Sequence, residues 1–578
     1  MSYINGPRIN FWGGGSTNVD TANNTQYTPQ IFDLADAAVT ATETDEQIIE
    51  YLRAPTEDYF ANGGWNYYGD HQFRLMNNKV SSSGHPGAVS TSGSLVGLDV
   101  FLLGSVDPLS GDGPYGSPVM VDLDPTSSVT SQIFAGGLQI GNGDSPALLV
   151  RGNAVSYSRF LGLRYDSNKV KPPYATPGSA YASGTFQLAF KKSDIVSYDV
   201  NDALLNDLIN APGAQGIVVR FEMFQFYPGI DSATMQQNYA ENRNDANPSL
   251  GRIIGSIGPW FEGEPATTPP GRLLNNNGLG GAQGLAMIDA TKSLLSLDLV
   301  SALEGAAIRQ DGQANTSPIE PNVDYGNITV GIGSETFAEC PSLPNDYYLY
   351  GGLYDIPLTP AQVTKLADNA LVIGSTKNGL DIQEQPIRIY SDFRNNYVNE
   401  TSPPLSEISL LILEYGGPLR TGVTVSLSSS SSGELPDGKF VSFPSEIHVP
   451  AGATSYTVNF GQIMGVDGFM MLTHTVNGYQ AYFNSLRKYS EGAVEALLQA
   501  DTVAWNDVYQ QCLRFFYVLF PAMSKRIPLN DEATITAVGG EILKRISPEY
   551  RNTTLYMPLT RSLSPDKIAL LKKYLEQT

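Results

Sequence analysis

The chain has 578 residues and a mass of 62.3 kDa, and its 35 basic and 58 acidic residues give a formal net charge of −23 at pH 7. Such an acidic chain shows no basic patch to release counterions from phosphates, which argues against unaided binding to nucleic acid or to an anionic membrane surface. Charged residues make up only 16% of the chain, which also holds 57 glycines and 37 prolines. This composition favours strands and turns over exposed helices.

The cysteine content and the lengths of the apolar runs indicate the cellular compartment in which we expect the protein. Cys340 and Cys512 are the two cysteines, too few and too far apart for a disulfide framework or a cysteine-based zinc site. The first eight residues have neither the basic nor the apolar part of a secretory signal. No run of 18 apolar residues occurs, so we expect a cytoplasmic protein without a membrane span.

Up to about residue 385 the sequence alternates short apolar runs with glycine and proline, which is typical of strands and turns. The clearest strand candidates are 95–103, 131–140 and 216–226. Two short helices are predicted at 44–52 and 202–209. We therefore predict a large β domain over residues 1–385.

A second unit is predicted over residues 386–480. Its strand candidates follow one another at roughly ten-residue spacing. They are 406–413, 423–427, 440–443, 446–449, 455–460 and 469–473. Short strands at this spacing over some 90 residues indicate a small β-sandwich.

The C-terminal residues 481–578 change to a helical period. One face carries an apolar stripe: Leu498, Trp505, Val508, Cys512, Phe515 and Leu519. Pro521 ends this helix, and shorter helices are predicted at 531–546 and, from the Ser564-Pro565 start signal, at 564–575. The predicted fold class is therefore mainly β, with an α-helical C-terminal tail. We expect this tail to pack on the β domain through its apolar stripe.

Common catalytic signatures are missing from the sequence. It has no Gly-x-Ser-x-Gly elbow, Walker A loop, His-Glu-x-x-His or kinase motif. None of its four histidines has a glutamate three residues before it, so the chain does not itself supply the Glu-x-x-His pair of a ferritin-like di-iron bundle.

His71 is the candidate cofactor ligand. It lies in the polar and aromatic segment 66–73, and histidine is the usual proximal ligand of haem. The alternative is a hydrogen-bonded loop histidine.

Asp122 and Asp124 are the candidate metal ligands. They flank Leu123 at the end of a predicted strand, so alternation puts both carboxylates on one face, where they could bind a cation through oxygen. The alternative is a pair of aspartates that cap a turn.

Arg272 is the candidate substrate-binding residue. It lies between a Pro-Gly turn and two leucines in residues 270–274. A half-buried guanidinium needs a carboxylate or several carbonyls, so we predict an anchor for the segment 262–284. A clamp for the carboxylate of a keto or imino acid is the alternative.

Several segments resemble the VioB and chromopyrrolate synthase family in the same order along the chain. They are 7–14, 19–23, 95–97, 121–125, 132–136, 270–274, 355–358, 520–524, 551–561 and 570–575. The likeness spans the whole chain but only the N-terminal half of VioB.

The resemblance implies a role in secondary metabolism. Members of this family are large haem-containing enzymes that couple two molecules of an indole-pyruvate imine, which a flavin oxidase partner makes from tryptophan. Their C-terminal half resembles a ferritin-type helical domain, and the likeness of this chain does not extend to it. Haem is the cofactor that the resemblance implies, with His71 as its ligand here.

Three functions of different classes follow. The first is an accessory or scaffold subunit of a VioB-like oxidative system that works with a separate ferritin-like protein. The second is a structural or self-assembling protein that forms a homo-oligomer. The third is a haem-dependent oxidoreductase that acts on an imino acid.

Overall fold

The computed structural model describes residues 2–17, 31–33, 36–60, 71–114, 116–122, 131–163, 182–228, 237–238, 240–241, 249–279, 281–305, 323–341, 346–399, 405–430, 440–462, 467–490, 492–520, 524 and 527–577. The chain is mainly β with helices near its C-terminus, which confirms the predicted fold class. No helix in this part of the chain is long and apolar enough to cross a membrane.

A seven-stranded antiparallel sheet, sheet 1, forms the middle of the N-terminal region. Its strands in spatial order are β10 (Arg159–Leu163), β11 (Ala182–Lys191), β13 (Ala214–Pro228), β14 (Ser249–Phe261), β1 (Arg8–Thr17), β4 (Arg74–His85) and β5 (Ala88–Ser90). β13 extends the predicted strand at 216–226 by two residues at each end. Strand alternation puts Ile217 and Val219 on one face of β13 and Val218 and Arg220 on the other. All four side chains are buried, so both faces of sheet 1 are covered.

Sheet 2 covers one face of sheet 1. Its strands are β12 (Ile195–Tyr198), β9 (Leu148–Tyr157), β8 (Ser131–Ile140) and β6 (Val100–Leu103), and β7 (Val119–Asp122) also pairs with β8. β8 has the bounds that the sequence predicted, whereas the strand expected at 95–103 is shorter because Gly97 turns the chain at φ +88°. The core between the two sheets is aliphatic and aromatic, and helix α2 (Ala203–Ile209) closes one end of it.

Sheet 3 covers the other face of sheet 1. Its strands are β19 (Glu335–Pro341), β18 (Asn327–Ile332), β21 (Val372–Ser375), β22 (Ile382–Gln385), β15 (Arg272–Asn276), β16 (Gln283–Asp289), β17 (Leu294–Asp298) and β20 (Leu353–Pro357). Buried polar groups fix its position on sheet 1, since Arg220 lies 3.2 Å from Asp298 and the Tyr3 hydroxyl donates to Asp298 at 2.6 Å. The N-terminal region is therefore a stack of three sheets.

The predicted sandwich is present as two packed sheets. One contains β23 (Ile387–Tyr390), β25 (Glu407–Glu414) and β29 (Ser455–Asn459), and the other contains β24 (Asn395–Tyr397), β32 (Tyr479–Lys488), β31 (Gly468–Val476), β26 (Val423–Ser430) and β28 (Glu446–Val449). The aliphatic core between them is continuous. β32 continues eight residues past the boundary expected at 480, because its alternating side chains still pack on β31.

Two two-stranded sheets and several helices complete the chain. The two-stranded sheets are β2 (Phe32–Asp33) with β3 (Ala38–Val39), and β27 (Val441–Ser442) with β30 (Gly461–Gln462). The helices are α1 (Asp45–Phe60), α3 (Pro360–Ala367), α4 (Glu495–Gln499), α5 (Trp505–Val508), α6 (Arg514–Leu519), α7 (Glu532–Ala537), α8 (Gly539–Arg545) and α9 (Pro565–Gln577).

The apolar stripe of the tail is largely buried. Residues from Val508 to Leu519 pack with α9, with α1 and β2–β3 of the N-terminal region and with Phe469 of β31, while Trp505 is half-buried. A π-helical turn at Tyr509–Leu513 separates α5 from α6, where the sequence predicted one continuous helix. The helix predicted at 531–546 is divided between α7 and α8 at Val538, directly before the two poor helix formers Gly539 and Gly540 that begin α8.

Candidate binding groove

A groove of about 990 Å³ lies where the stacked sheets, the sandwich and the C-terminal region meet. Its floor is the outer face of sheet 2. Residues 260–267, from the end of β14 onward, form one side, and residues 391–397 with β25 form the opposite side. Residues from 551 to 561 contribute a third side. Every main part of the chain therefore contributes to this groove.

The floor is built by two paired strands. Phe134 of β8 lies opposite Val155 of β9, and Tyr157 follows two residues later on the same face of β9. Tyr157 is buried, and this burial raises the pKa of its phenol to about 12 against the opposing charge of Arg159. The phenol is therefore neutral at physiological pH, and the floor is apolar at its centre.

Three buried arginines, which we call the junction arginines, hold the sandwich to the stacked sheets. Arg159 donates to the carbonyl of Ser391 at 2.9 Å, and Arg394 donates back to the carbonyl of Ser158. Arg388 donates to the carbonyls of Gly271 and Pro269, at 2.7 and 2.9 Å.

The partners of the junction arginines are uncharged. Within the described part of the chain their hydrogen bonds go to carbonyl and hydroxyl oxygens, not to carboxylates. Arg388 and Arg394 also lie over the rings of Tyr390 and Phe483, at 4.3 and 4.0 Å from the ring centroids. Burial and then the charge of Arg159 lower the pKa of Arg394 to about 9, as expected when a guanidinium is removed from water beside another cation.

The C-terminal region seals the third side with two further arginines. Arg561 lies over Phe134 at 3.6 Å from the ring centroid and donates to the carbonyl of Thr553 at 2.7 Å. Arg551 lies over Tyr397 at 4.6 Å. The helical tail is therefore attached to both sheet 2 and the sandwich beside the groove.

The mouth of the groove carries acidic and aromatic side chains. Asp392 accepts a hydrogen bond from the backbone of Thr267 at 2.9 Å, which ties the two sides together. Burial raises the pKa of Glu264 to about 7, opposed by a hydrogen bond from the backbone of Phe261. Glu264 is therefore partly protonated near neutral pH and can donate as well as accept. Phe393 is 64% exposed at the same mouth.

His71 lies outside this lining. Its ring is 2% exposed and tilted against Phe520 at 5.8 Å, and its Nε2 has no hydrogen-bond partner among the described residues. Burial, with a smaller contribution from Arg561, lowers the pKa of His71 to about 4, so the ring is neutral. A neutral ring with a free nitrogen could ligate a metal, but His71 does not line the groove and is closed off by Phe520. This surrounding does not fit a haem, and we derive no step through one.

The predicted metal pair cannot be assembled from the described residues. Asp122 ends β7, where its backbone pairs with Ser131, but its side chain and the whole of Asp124 lie outside the described part. Among the described residues no group of three or more His, Cys, Asp or Glu is placed to hold a metal ion. The metal site stays a prediction.

Arg272 is 4% exposed at the start of β15. It donates from Nε to Glu384 at 2.7 Å and from its terminal nitrogens to the same carboxylate and to the carbonyls of Leu366 and Asn369, at 2.8 and 2.7 Å. Burial raises the pKa of Glu384, and the bond to Arg272 opposes this rise. These contacts match the expected anchor, while the carboxylate clamp stays a prediction. Arg272 lies apart from the groove lining.

Sequence reasoning missed the groove residues Phe393, Glu264 and Asp392. Each lies in a short polar stretch without a recognisable motif. Arg551 and Arg561 do lie in a segment that resembles the VioB family, and that was the one available signal.

Comparison with known proteins gives no relative. No protein-family model and no curated protein matches the chain. Among solved structures it is similar to domains 1–6 of the surface layer protein SbsC, with 9% identity, 69% of this chain and 49% of that chain covered, and a TM-score of 0.12. It is also similar to the native and the elastase-activated Escherichia coli alpha-2-macroglobulin, with 8% and 10% identity and TM-scores of 0.12 and 0.13. Those alignments cover 84% of this chain and 38% and 42% of those chains.

The chain thus spans less than half the length of each of these three structures. TM-scores this low support no inference about fold or function.

The substitution Arg272→Lys tests the anchor. It keeps the charge but loses the planar fork, so part of a buried ion pair is left unsatisfied, and we expect the free energy of unfolding to fall by about 2–4 kcal/mol. Urea unfolding of the variant and of wild type, with and without a keto acid, measures this free energy of unfolding. Arg420→Lys is the matched control, because Arg420 also lies over Tyr415 but pairs with the exposed Asp368 at 2.7 Å. That variant is expected to lose less than about 1 kcal/mol. Equal stability of Arg272→Lys and wild type would contradict the anchor.

The burial of His71 predicts a pH dependence of stability. Because the pKa is about 4 in the folded chain and about 6.5 in the unfolded chain, the unfolded state binds more protons between these values. Stability is therefore full above pH 6.5 and is lost as the pH falls towards 4. Across this window we expect wild type to lose up to about 3 kcal/mol more than His71→Leu, measured by urea unfolding at a series of pH values. Parallel losses in the two proteins would show that His71 is not buried as a neutral ring.

Proposed function

We propose that this protein is an accessory subunit of a VioB-like oxidative biosynthetic system. It binds a small organic molecule in the groove, and a separate ferritin-like protein carries out the oxidation. The observation that supports the proposal is the groove itself, which sits between three parts of the chain and is the kind of concave, partly apolar site that binds small molecules.

The construction of the groove suits binding by a rigid scaffold. The Thr267–Asp392 bond joins its two long sides, and the bonds of Arg159 and Arg394 tie residues 391–394 to the end of β9 and the start of β10. A site whose sides are already fixed loses little conformational entropy when a ligand enters. The proposal therefore assigns this chain the task of holding and orienting a molecule on which the partner acts.

Reconstitution with the ferritin-like partner tests the proposal. Affinity isolation of the chain from its native source is expected to enrich a helical protein with Glu-x-x-His motifs. Oxidative coupling of an imino acid by this partner is then expected to be faster with the chain than without it, and the chain alone is expected to give no coupled product.

A groove-blocking variant makes the test specific. Ser409 lies in β25 on the side of the groove, so Ser409→Trp is expected to remove the acceleration without breaking the complex. Ser428→Trp is the matched control, because Ser428 is an exposed strand serine of β26 outside the groove lining. Coupling by the chain alone, or full acceleration by Ser409→Trp, would contradict the proposal.

A further inference from the structure

The charge of the groove lining narrows the class of ligand. Among the described residues its charged side chains are of both signs: Asp194, Glu264, Asp392 and Glu407 against Lys191, Arg551 and Arg561. Arg561 donates to backbone carbonyls, and the chain as a whole is strongly acidic. The described lining therefore carries no large excess of positive charge to hold a phosphorylated or strongly anionic ligand, and an uncharged ligand suits the groove better.

Apart from the ammonium of Lys191, the exposed polar groups of the described lining are amides, hydroxyls and carboxylates. Asn153 on β9, Glu407 and Ser409 on β25, and Asn552 are all exposed and line the same space. An amide both donates and accepts, a hydroxyl does both, and a carboxylate accepts from two neighbouring donors. Such a set is complementary to a molecule with several adjacent hydroxyl groups.

An exposed aromatic ring stands at the mouth on a fixed support. The Phe393 ring is 64% exposed, yet its backbone N–H donates to the Ser391 hydroxyl at 3.2 Å and its carbonyl accepts from Asn484 at 2.7 Å. Leaving a phenylalanine in water forgoes roughly 1.5–3 kcal/mol of burial energy. A rigidly displayed apolar ring is therefore a ready contact for an apolar face of a ligand.

Trp260 offers a second fixed aromatic surface. Its indole Nε1 donates to the carbonyl of Glu264 at 2.9 Å, which orients the half-buried ring beside the groove. Flat aromatic surfaces next to hydroxyl-binding groups match a pyranose, which has an apolar C–H face and a rim of hydroxyls.

We propose that the groove binds a neutral saccharide, with its C–H face on Phe393 and its hydroxyls on Asn153, Asp392 and Glu407. The inference goes beyond the proposed function: it rests on the same groove, but it names a saccharide, not the imino acid, as the molecule held there. It assigns the hydroxyl contacts to three different elements of the chain, so the ligand spans the floor and one side of the groove.

An immobilised panel of neutral mono- to tetrasaccharides, followed by calorimetric titration of the best binder, tests this inference. We expect the full chain to bind at least one glycan, and Phe393→Ala to weaken binding about fivefold to tenfold, as the loss of one aromatic contact does. Phe393→Tyr keeps the ring and is expected to bind like wild type. Tyr51→Ala removes a comparably exposed ring (49%) outside the groove lining and is expected to change nothing.

The outcomes separate this inference from the proposed function. If no glycan binds while Ser409→Trp removes the acceleration of the partner, the saccharide inference is wrong and the proposed function stands. If a glycan binds and Ser409→Trp blocks it without any effect on the partner, the saccharide site stands and the proposed function is wrong. Glycan binding that neither Phe393→Ala nor Ser409→Trp weakens would place the saccharide elsewhere and overturn the inference.

Discussion

The hydrogen bonds from buried arginines to backbone carbonyls determine how the parts of this chain are arranged. A guanidinium that is removed from water must find partners for several N–H groups, and carbonyl oxygens on a neighbouring unit can supply them only in one relative position. Arg159 and Arg394 make reciprocal bonds between the stacked sheets and the sandwich. Arg159 donates to the carbonyl of Ser391, and Arg394 donates to the carbonyl of Ser158. Residues 391–394 are therefore fixed to sheet 1, and the groove exists because of that constraint.

The same logic operates deeper in the N-terminal region. Sheet 1 is covered on both faces, but one interface is apolar and the other contains charged groups. Arg220, Asp298 and Tyr3 form a buried cluster in which the Tyr3 hydroxyl donates to Asp298. Burial raises the pKa of Tyr3, so this hydroxyl keeps its proton. An apolar interface tolerates sliding better than a hydrogen-bonded one, and the charged interface therefore sets the register of sheet 3.

Local signals in the sequence predicted much of the secondary structure. Alternating apolar residues between turn signals located β8 and most strands of the sandwich, and Ser564 before Pro565 located the start of α9. Non-local pairing could not be read in this way, since β1 lies between β14 and β4, which come much later in the chain. Arg272 illustrates both what the local sequence predicts and what it does not. Its need for an acidic partner was predictable, but Glu384 lies 112 residues away.

The groove was harder to predict than the strands. Its residues come from distant segments, and each is unremarkable in its own stretch of sequence. Phe393 illustrates this, because a phenylalanine among polar residues usually indicates a buried contact, whereas here the backbone bonds hold the ring in solvent. Only the assembled junction shows that the ring faces a cavity.

Differential scanning calorimetry of Arg394→Met tests the central claim most directly. The variant removes the charge-assisted bond to the buried Ser158 carbonyl, at a cost of about 1–3 kcal/mol. If the junction arginines hold the sandwich to the stacked sheets, wild type melts with the two units in one transition, and the variant shows a separate, earlier transition of the sandwich. A single transition at the wild-type temperature in Arg394→Met would contradict the account.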